Sequence, residues 1–362
     1  MPSITFHDLL DPFSGARTSI RIADGHLADR AEHLPAPAGT HVAAEDLWVL
    51  PALYDADAHL PVEALGLRTG DVYASLVGGV VQVNVALQYQ AIKDLDLAAL
   101  VADLVQPQIP RIIPILSVHS DLPNDGFAAW LASHADTVKA LLPPVCKLYS
   151  YSANFWDNLD SVFSAGLLPI IYCQSLEEIA SVVERSPGPV HFRHAISDQL
   201  VAAMRKLPGA TLQTSPHFLV PVDPAHRGDL HVLPPVPDDD VRLSLADVFL
   251  DEIDLLVSDH NAPPMGAPDG PGLQVAHSFL PSILTIVDTY GWPLEAVWAK
   301  ATTAPAARYG VELDEALLIV DPSYEEVGGL LPRQTPDRAP YLGIPLKGRV
   351  VAVSVGDRAL VV

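Results

Sequence analysis

Asp57 and His59 stand two apart in Asp55-Ala56-Asp57-Ala58-His59. On a β-strand that spacing turns both side chains to the same face. Lys147 interrupts the apolar run Val145-Cys146-Lys147-Leu148-Tyr149, and Cys173 follows Ile170-Ile171-Tyr172. His194 closes Val190-His191-Phe192-Arg193-His194, and Ser258-Asp259-His260 follows Leu255-Leu256-Val257. Carboxylate, imidazole and thiolate groups gathered at neighbouring strand ends are what a divalent metal needs. Each has a plainer reading when taken alone. A strand-end histidine is commonly a hydrogen-bonded core residue, a single cysteine a small hydrophobe, and a lysine can bury its stem with its head in water. Their shared place at the ends of apolar runs is what points to a metal site. His191 falls on a different face from His194 and reads as structural. His217, after Pro216, can shape a pocket, and His260 and His277 are further candidates for the surroundings of a site. Asp238, Asp239 and Asp240 read as a solvated turn or a helix start.

These residues need elements to position them. Eight short apolar runs read as strands: 47–53, 80–85, 112–118, 145–149, 168–172, 189–192, 210–214 and 254–257. Helical patterns fall between them at 68–76, 91–105, 126–142, 176–185, 198–207 and 243–250, with two more near 279–290 and 293–309. Strand and helix in alternation predict a parallel sheet. Eight units over about 250 residues match a (β/α)8 TIM barrel, whose chemistry sits at the C-terminal strand ends. An open doubly wound sheet would carry a glycine-rich phosphate loop after its first strand, and none is present. The termini read as β-structure. Thr18–Ile22 alternates before an Asp24-Gly25 turn, and Arg349–Val355 precedes Gly356-Asp357 and Ala359–Val362. The expected organisation is a barrel over 51–310 with a small β-sandwich built from 1–50 plus 311–362.

The formal charge of −23 over 362 residues argues against nucleic acid and anionic membrane surfaces as partners. Two cysteines cannot build a disulfide framework, which fits a reducing compartment. The run 74–87 is too short to span a bilayer, and no basic-then-apolar leader is visible. A soluble, cytoplasmic protein is the expectation.

Taken in order, eight segments resemble the dihydroorotases, cyclic amidohydrolases of the amidohydrolase superfamily. Leu50 to Leu60 is similar to Pro-Gly-Leu-Ile-Asp-x-His-x-His-Leu, and Gly78-Gly-Val-Val-Gln-Val to the second strand. Lys147-Leu-Tyr resembles the segment that bears a carboxylated lysine, and Val190-His-Phe-Arg-His194 resembles Val-His-Ile-x-His. Ser215-Pro-His-Phe-Leu, Ser258-Asp-His, Pro271-Gly-Leu-Gln and Thr303-Ala-Pro-Ala-Ala-Arg-Tyr-Gly complete the series. The resemblance implies one or two Zn ions held by Asp57, His59, carboxylated Lys147, Cys173, His194 and Asp259. Asp57 and Cys173 stand where the family has histidines. It implies Asp259 as the catalytic proton carrier, Gln88 and His217 on the substrate side, and a homodimer. The expected reaction is reversible hydrolysis of a ring-amide C–N bond, of the pyrimidine-biosynthesis type, in a small cyclic substrate.

Three departures fall on the substrate side. Pro61 replaces the arginine that grips the substrate carboxylate, Leu233-Pro-Pro-Val-Pro237 replaces Asn-Pro-Pro-Leu-Arg, and Asn261-Ala-Pro-Pro264 lacks the final histidine. Losing a bidentate guanidinium contact costs about 1.5–3 kcal/mol. The resemblance therefore carries a second expectation: a catalytically defective dihydroorotase-like protein that scaffolds aspartate transcarbamoylase.

Overall fold

The computed structural model describes residues 3–35, 39–59, 62–63, 66–67, 69–105, 109–118, 123–261, 271–330 and 334–362. Pro61 and the segment 262–264 lie outside them. Nine parallel strands form a curled sheet: β1 (Leu53–His59), β2 (Val80–Gln88), β3 (Arg111–Ser117), β4 (Val145–Tyr149), β5 (Leu168–Tyr172), β6 (His191–Phe192), β7 (Thr211–Thr214), β8 (Leu255–Leu256) and β9 (His260–Asn261). β1 to β8 pair with their sequence neighbours, and β9 pairs with β1. The two edges of this sheet are thus two ends of one stretch, residues 255–261.

The strands read as nearly unbroken apolar runs because both faces of the sheet are covered. One cluster lies on the concave side: Tyr54 and Ala56 of β1, Ile113 and Ile115 of β3, Val145, Ile170 and Leu255, with Tyr309. Helices pack on the other side, including Phe127–Leu141, Leu176–Arg185 and Asp239–Glu252. Ser175 caps the second of these through its hydroxyl, with Glu177 and Glu178 in the first turn. Asp238 caps the third by accepting from Val241 N, which settles the acidic triplet as a helix start. Polar residues between these strands can pair with one another. Asn84 takes the Tyr54 hydroxyl at 2.6 Å and donates to the Ala56 carbonyl at 2.8 Å.

The expected first strand at 47–53 is divided in the structure. Trp48–Pro51 joins the terminal sheet against 317–320, and the curled sheet starts at Leu53. The β-sandwich is likewise corrected to one eight-stranded sheet drawn from both termini. It closes on itself, because Ile4–Leu10 pairs with Arg17–Ala23 as well as with Trp48–Pro51. Phe6, Leu9, Ile20, Ile22, Val49 and Ile319 fill its interior. The expected 24–25 hairpin forms, with Asp24 and Gly25 both at positive φ (52° and 80°), as a two-residue turn requires. Among the described residues, no helix is long and apolar enough to cross a membrane.

One close approach gives a test of the packing. A Cβ on Gly78 would lie 1.8 Å from the backbone oxygen of Ala276. No side-chain rotation relieves a backbone clash. Gly78→Ala is expected to cost about 1–3 kcal/mol or more, read as a fall in the urea midpoint at constant slope.

Candidate functional site

The concave mouth of the curled sheet holds a buried ionic cluster. β1 supplies Asp57 and His59. Its pairing with β2 slips between Asp55 and Ala58, where the chain passes from the apolar pair Tyr54 and Ala56 to Asp57 and His59. Asp55 accepts from Ser258 N at 3.0 Å and from the Ser258 hydroxyl, tying β1 to the break between β8 and β9. Asp259 N donates to Asp57 O across the same gap. His194 and Asp259 both sit at positive φ, 56° and 55°. Strained non-glycine residues of this kind gather where a side chain must be aimed rather than where a strand must continue.

Asp57 is fully buried and both its oxygens are taken. Lys147 Nζ donates to Oδ1. Arg193 Nε donates to Oδ2 at 2.7 Å, and Gln213 Nε2 donates to the same oxygen. The second arm of Arg193 reaches His59 Nε2 at 3.1 Å and lies 3.9 Å from Asp259 Oδ1. His194 Nδ1 and His217 Nε2 flank the other Asp259 oxygen at 3.8 and 3.9 Å. Gln213 is held in turn by His191, which bonds Gln213 Oε1 and Thr211 Oγ1, each at 2.8 Å. His191 is therefore structural, holding Gln213 rather than entering the cluster.

The electrostatics follow from burial and this contact list. Burial opposes ionisation of Asp57, but Arg193 and then Lys147 outweigh it and hold the carboxyl well below its usual range. Burial and the nearby Asp57 push Asp259 well above that range. Burial lowers the Lys147 ammonium, with Asp57 acting the other way. Burial pushes the Asp55 carboxyl up to about 6. It pulls His217 down to about 3. Burial and Arg193 hold His194 neutral.

The expected ligands do not all converge. Among the described residues, the ligating atoms of Asp57, His194 and Asp259 lie within 4.8 Å of one another. His59 Nε2 is 3.7 Å from Asp57 Oδ1. Cys173 does not join them. Its neighbours are Ser150 and Glu178, and burial pushes its thiol up to about 12. Gln88 ends β2 opposite Ser117, its side-chain oxygen buried without a partner. His217 is buried against Phe218, ring centres 4.0 Å apart.

Arg193 and Gln213 went unnoticed in the sequence. A signal was present: Arg193 follows His191 by two, the strand spacing that turns both inward.

Similarity to known proteins lies in the architecture. No protein-family model matches the chain, and no curated protein matches its sequence. The L-hydantoinase (dihydropyrimidinase) from Arthrobacter aurescens superposes with a TM-score of 0.71 at 16% identity, covering 100% of this chain and 98% of that one. The dihydropyrimidinase from Brevibacillus agri gives 0.70 at 15%, over 99% and 95%. The fold is that of the hydantoinases. A dihydroorotase from Campylobacter jejuni shares it at a TM-score of 0.59 and 13% identity, over 83% of this chain and 97% of that one. The hydantoinase fold thus agrees with the group to which the sequence motifs pointed.

Within that fold, Asp57, His194 and Asp259 are donors of the type a divalent ion takes, but buried cations already lie against the two carboxylates. Asp57 and Asp259 already share the Arg193 guanidinium, and Lys147 Nζ also lies against Asp57. A divalent ion here would join two buried cations, where repulsion is weakly screened. A carbamate on Lys147 would set its negative oxygens against the Asp57 carboxylate.

Proposed function

We propose that this chain is a dihydroorotase-like protein that serves as a structural partner of aspartate transcarbamoylase and does not open cyclic amides itself. The observation that carries this reading is the saturation of Asp57 by Lys147, Arg193 and Gln213. The curled sheet is read as a closed (β/α)8 TIM barrel over 51–310, with 1–50 and 311–362 as the second domain, and the assembly as built on a homodimer in the cytoplasm. The substrate side supports the same reading. Leu233–Pro237 replaces polar groups that the resemblance would require, and Leu233 is exposed.

The grouping of Asp57, His194 and Asp259 favours the other reading, Zn-dependent hydrolysis of a ring amide with Asp259 carrying the proton. One experiment decides between them. The full chain is purified without chelators, alone and with the transcarbamoylase of its own source. Metal content, elution volume and ring opening of dihydroorotate and hydantoin are then measured. The expected result is a joint complex, unaffected by Asp259→Ala, with no ring opening. A solitary protein with stoichiometric Zn and measurable cyclic amidase activity overturns it.

A further inference from the structure

The Arg193 guanidinium stands among Asp57, His59 and Asp259, three of the side chains that the sequence offers as metal ligands. It is buried, and it comes from the end of β6 rather than from a long loop that could swing away. It links the ends of β1 and β6 and reaches the break before β9, which is the cross-linking a metal ion supplies when ligands come from several strands. Its charge is held by the same anions. Burial opposes it, but Asp57, Tyr149 and Asp259 keep the guanidinium protonated, and the Tyr149 ring lies 5.8 Å from it.

The surrounding histidines still carry open donors. Among the described residues, His194 Nδ1 is buried with no hydrogen-bond partner, and both ring nitrogens of His217 are in the same condition. Neutral imidazoles and carboxylates are the donor set that takes Zn or Co.

We infer that Arg193 is a built-in replacement for the metal ion, and that shortening it uncovers a divalent-metal site formed by Asp57, His59, His194 and Asp259. The guanidinium lies among Asp57, His59 and Asp259, where an ion bound by them would have to sit, so the guanidinium and the metal are mutually exclusive occupants. This inference stands apart from the transcarbamoylase partnership and concerns only what holds the centre together.

The test uses the full-length protein and cobalt alone. Wild type and Arg193→Ser are equilibrated with Co²⁺ and dialysed. Bound metal, the visible d–d absorption and the thermal midpoint are recorded. The wild type is expected to retain no stoichiometric cobalt and to keep its midpoint whether Co²⁺ or EDTA is added. Arg193→Ser is expected to melt lower, to retain one ion per chain with a tetrahedral spectrum, and to regain its midpoint with cobalt. Stoichiometric cobalt in the wild type, a wild-type midpoint moved by EDTA, or a folded Arg193→Ser that takes no cobalt overturns the inference. If the variant folds only when refolded with Co²⁺, the inference is supported. If it folds under neither condition, the wild-type cobalt content and EDTA response decide. Ring opening by a metal-free wild type would defeat the proposed function while leaving this inference in place.

Discussion

Asp57→Asn is expected to destabilise the protein by about 3–5 kcal/mol, the usual cost of removing one partner from a buried ion pair. The substitution keeps the shape of the side chain and removes only its charge. Lys147 and Arg193, both buried, then face each other with no anion between them. Asp259 cannot take over. It lies 3.9 Å from the guanidinium, beyond hydrogen-bond distance. Urea unfolding followed by tryptophan fluorescence measures the loss. Lys147→Met on the Asp57→Asn background should recover part of it, because an apolar side chain removes one of the uncompensated charges. A midpoint unchanged by Asp57→Asn would mean that the ion pairs do not hold the mouth of the sheet together.

Acid is expected to unfold the protein early. Burial lowers His191, His217 and His260 to about 3 and His277 to about 4. It holds His59 and His194 well below their ordinary value. In the unfolded chain each titrates near 6.5. As pH falls below that value the unfolded chain takes up six protons that the native state refuses, and stability is lost. Asp55 and Asp259 act oppositely, since their raised native pKa values favour the folded state as pH falls toward 4. Asp57 is lowered, so its contribution persists until pH falls below its unfolded value near 4. Six against two leaves a net difference of four protons, a slope of at most about 5 kcal/mol per pH unit. Two such units would remove about 10 kcal/mol, most of an ordinary stability of about 5–15 kcal/mol. Urea midpoints between pH 7.5 and 4.5 at fixed salt should fall steeply below about 6.5. His191→Gln should reduce the slope by one proton. A flat profile from 7 to 5 would show that these imidazoles charge inside the fold.

Much of the architecture was readable because its signals are local. Leu176–Arg185 and Phe279–Tyr290 form as helices where the periodicity placed them, and Asp24-Gly25 turns the first hairpin. The misplacement of the first strand has a physical cause. Residues 47–53 are uniformly apolar, yet Ala52 N bonds Ala316 O and the run is shared between two sheets. That division is set by a partner over 260 residues away in the chain. The site was legible as a set of donors but not as a set of contacts. Cys173 has the right residue type in the right place along the chain, yet its thiol faces Ser150 and Glu178. Arg193 is not legible in the sequence by residue type, because a charged residue on a short strand ordinarily points to water. Only the inward direction at the end of β6 and the anions across the mouth make it central.

The stretch 255–261 joins both edges of the curled sheet, and this bears on how the chain is made. During synthesis β1 emerges early, while Ser258, which bonds Asp55, lies 203 residues later. Until that segment is available, the outer edge of β1 offers unpaired backbone groups to any passing strand. The strand Trp48–Pro51 waits longer still for Ala316–Val327. Contacts of such sequence separation form slowly and leave collapsed intermediates open to aggregation. Nascent chains halted before residue 255 should therefore depend on chaperones far more than chains released at full length.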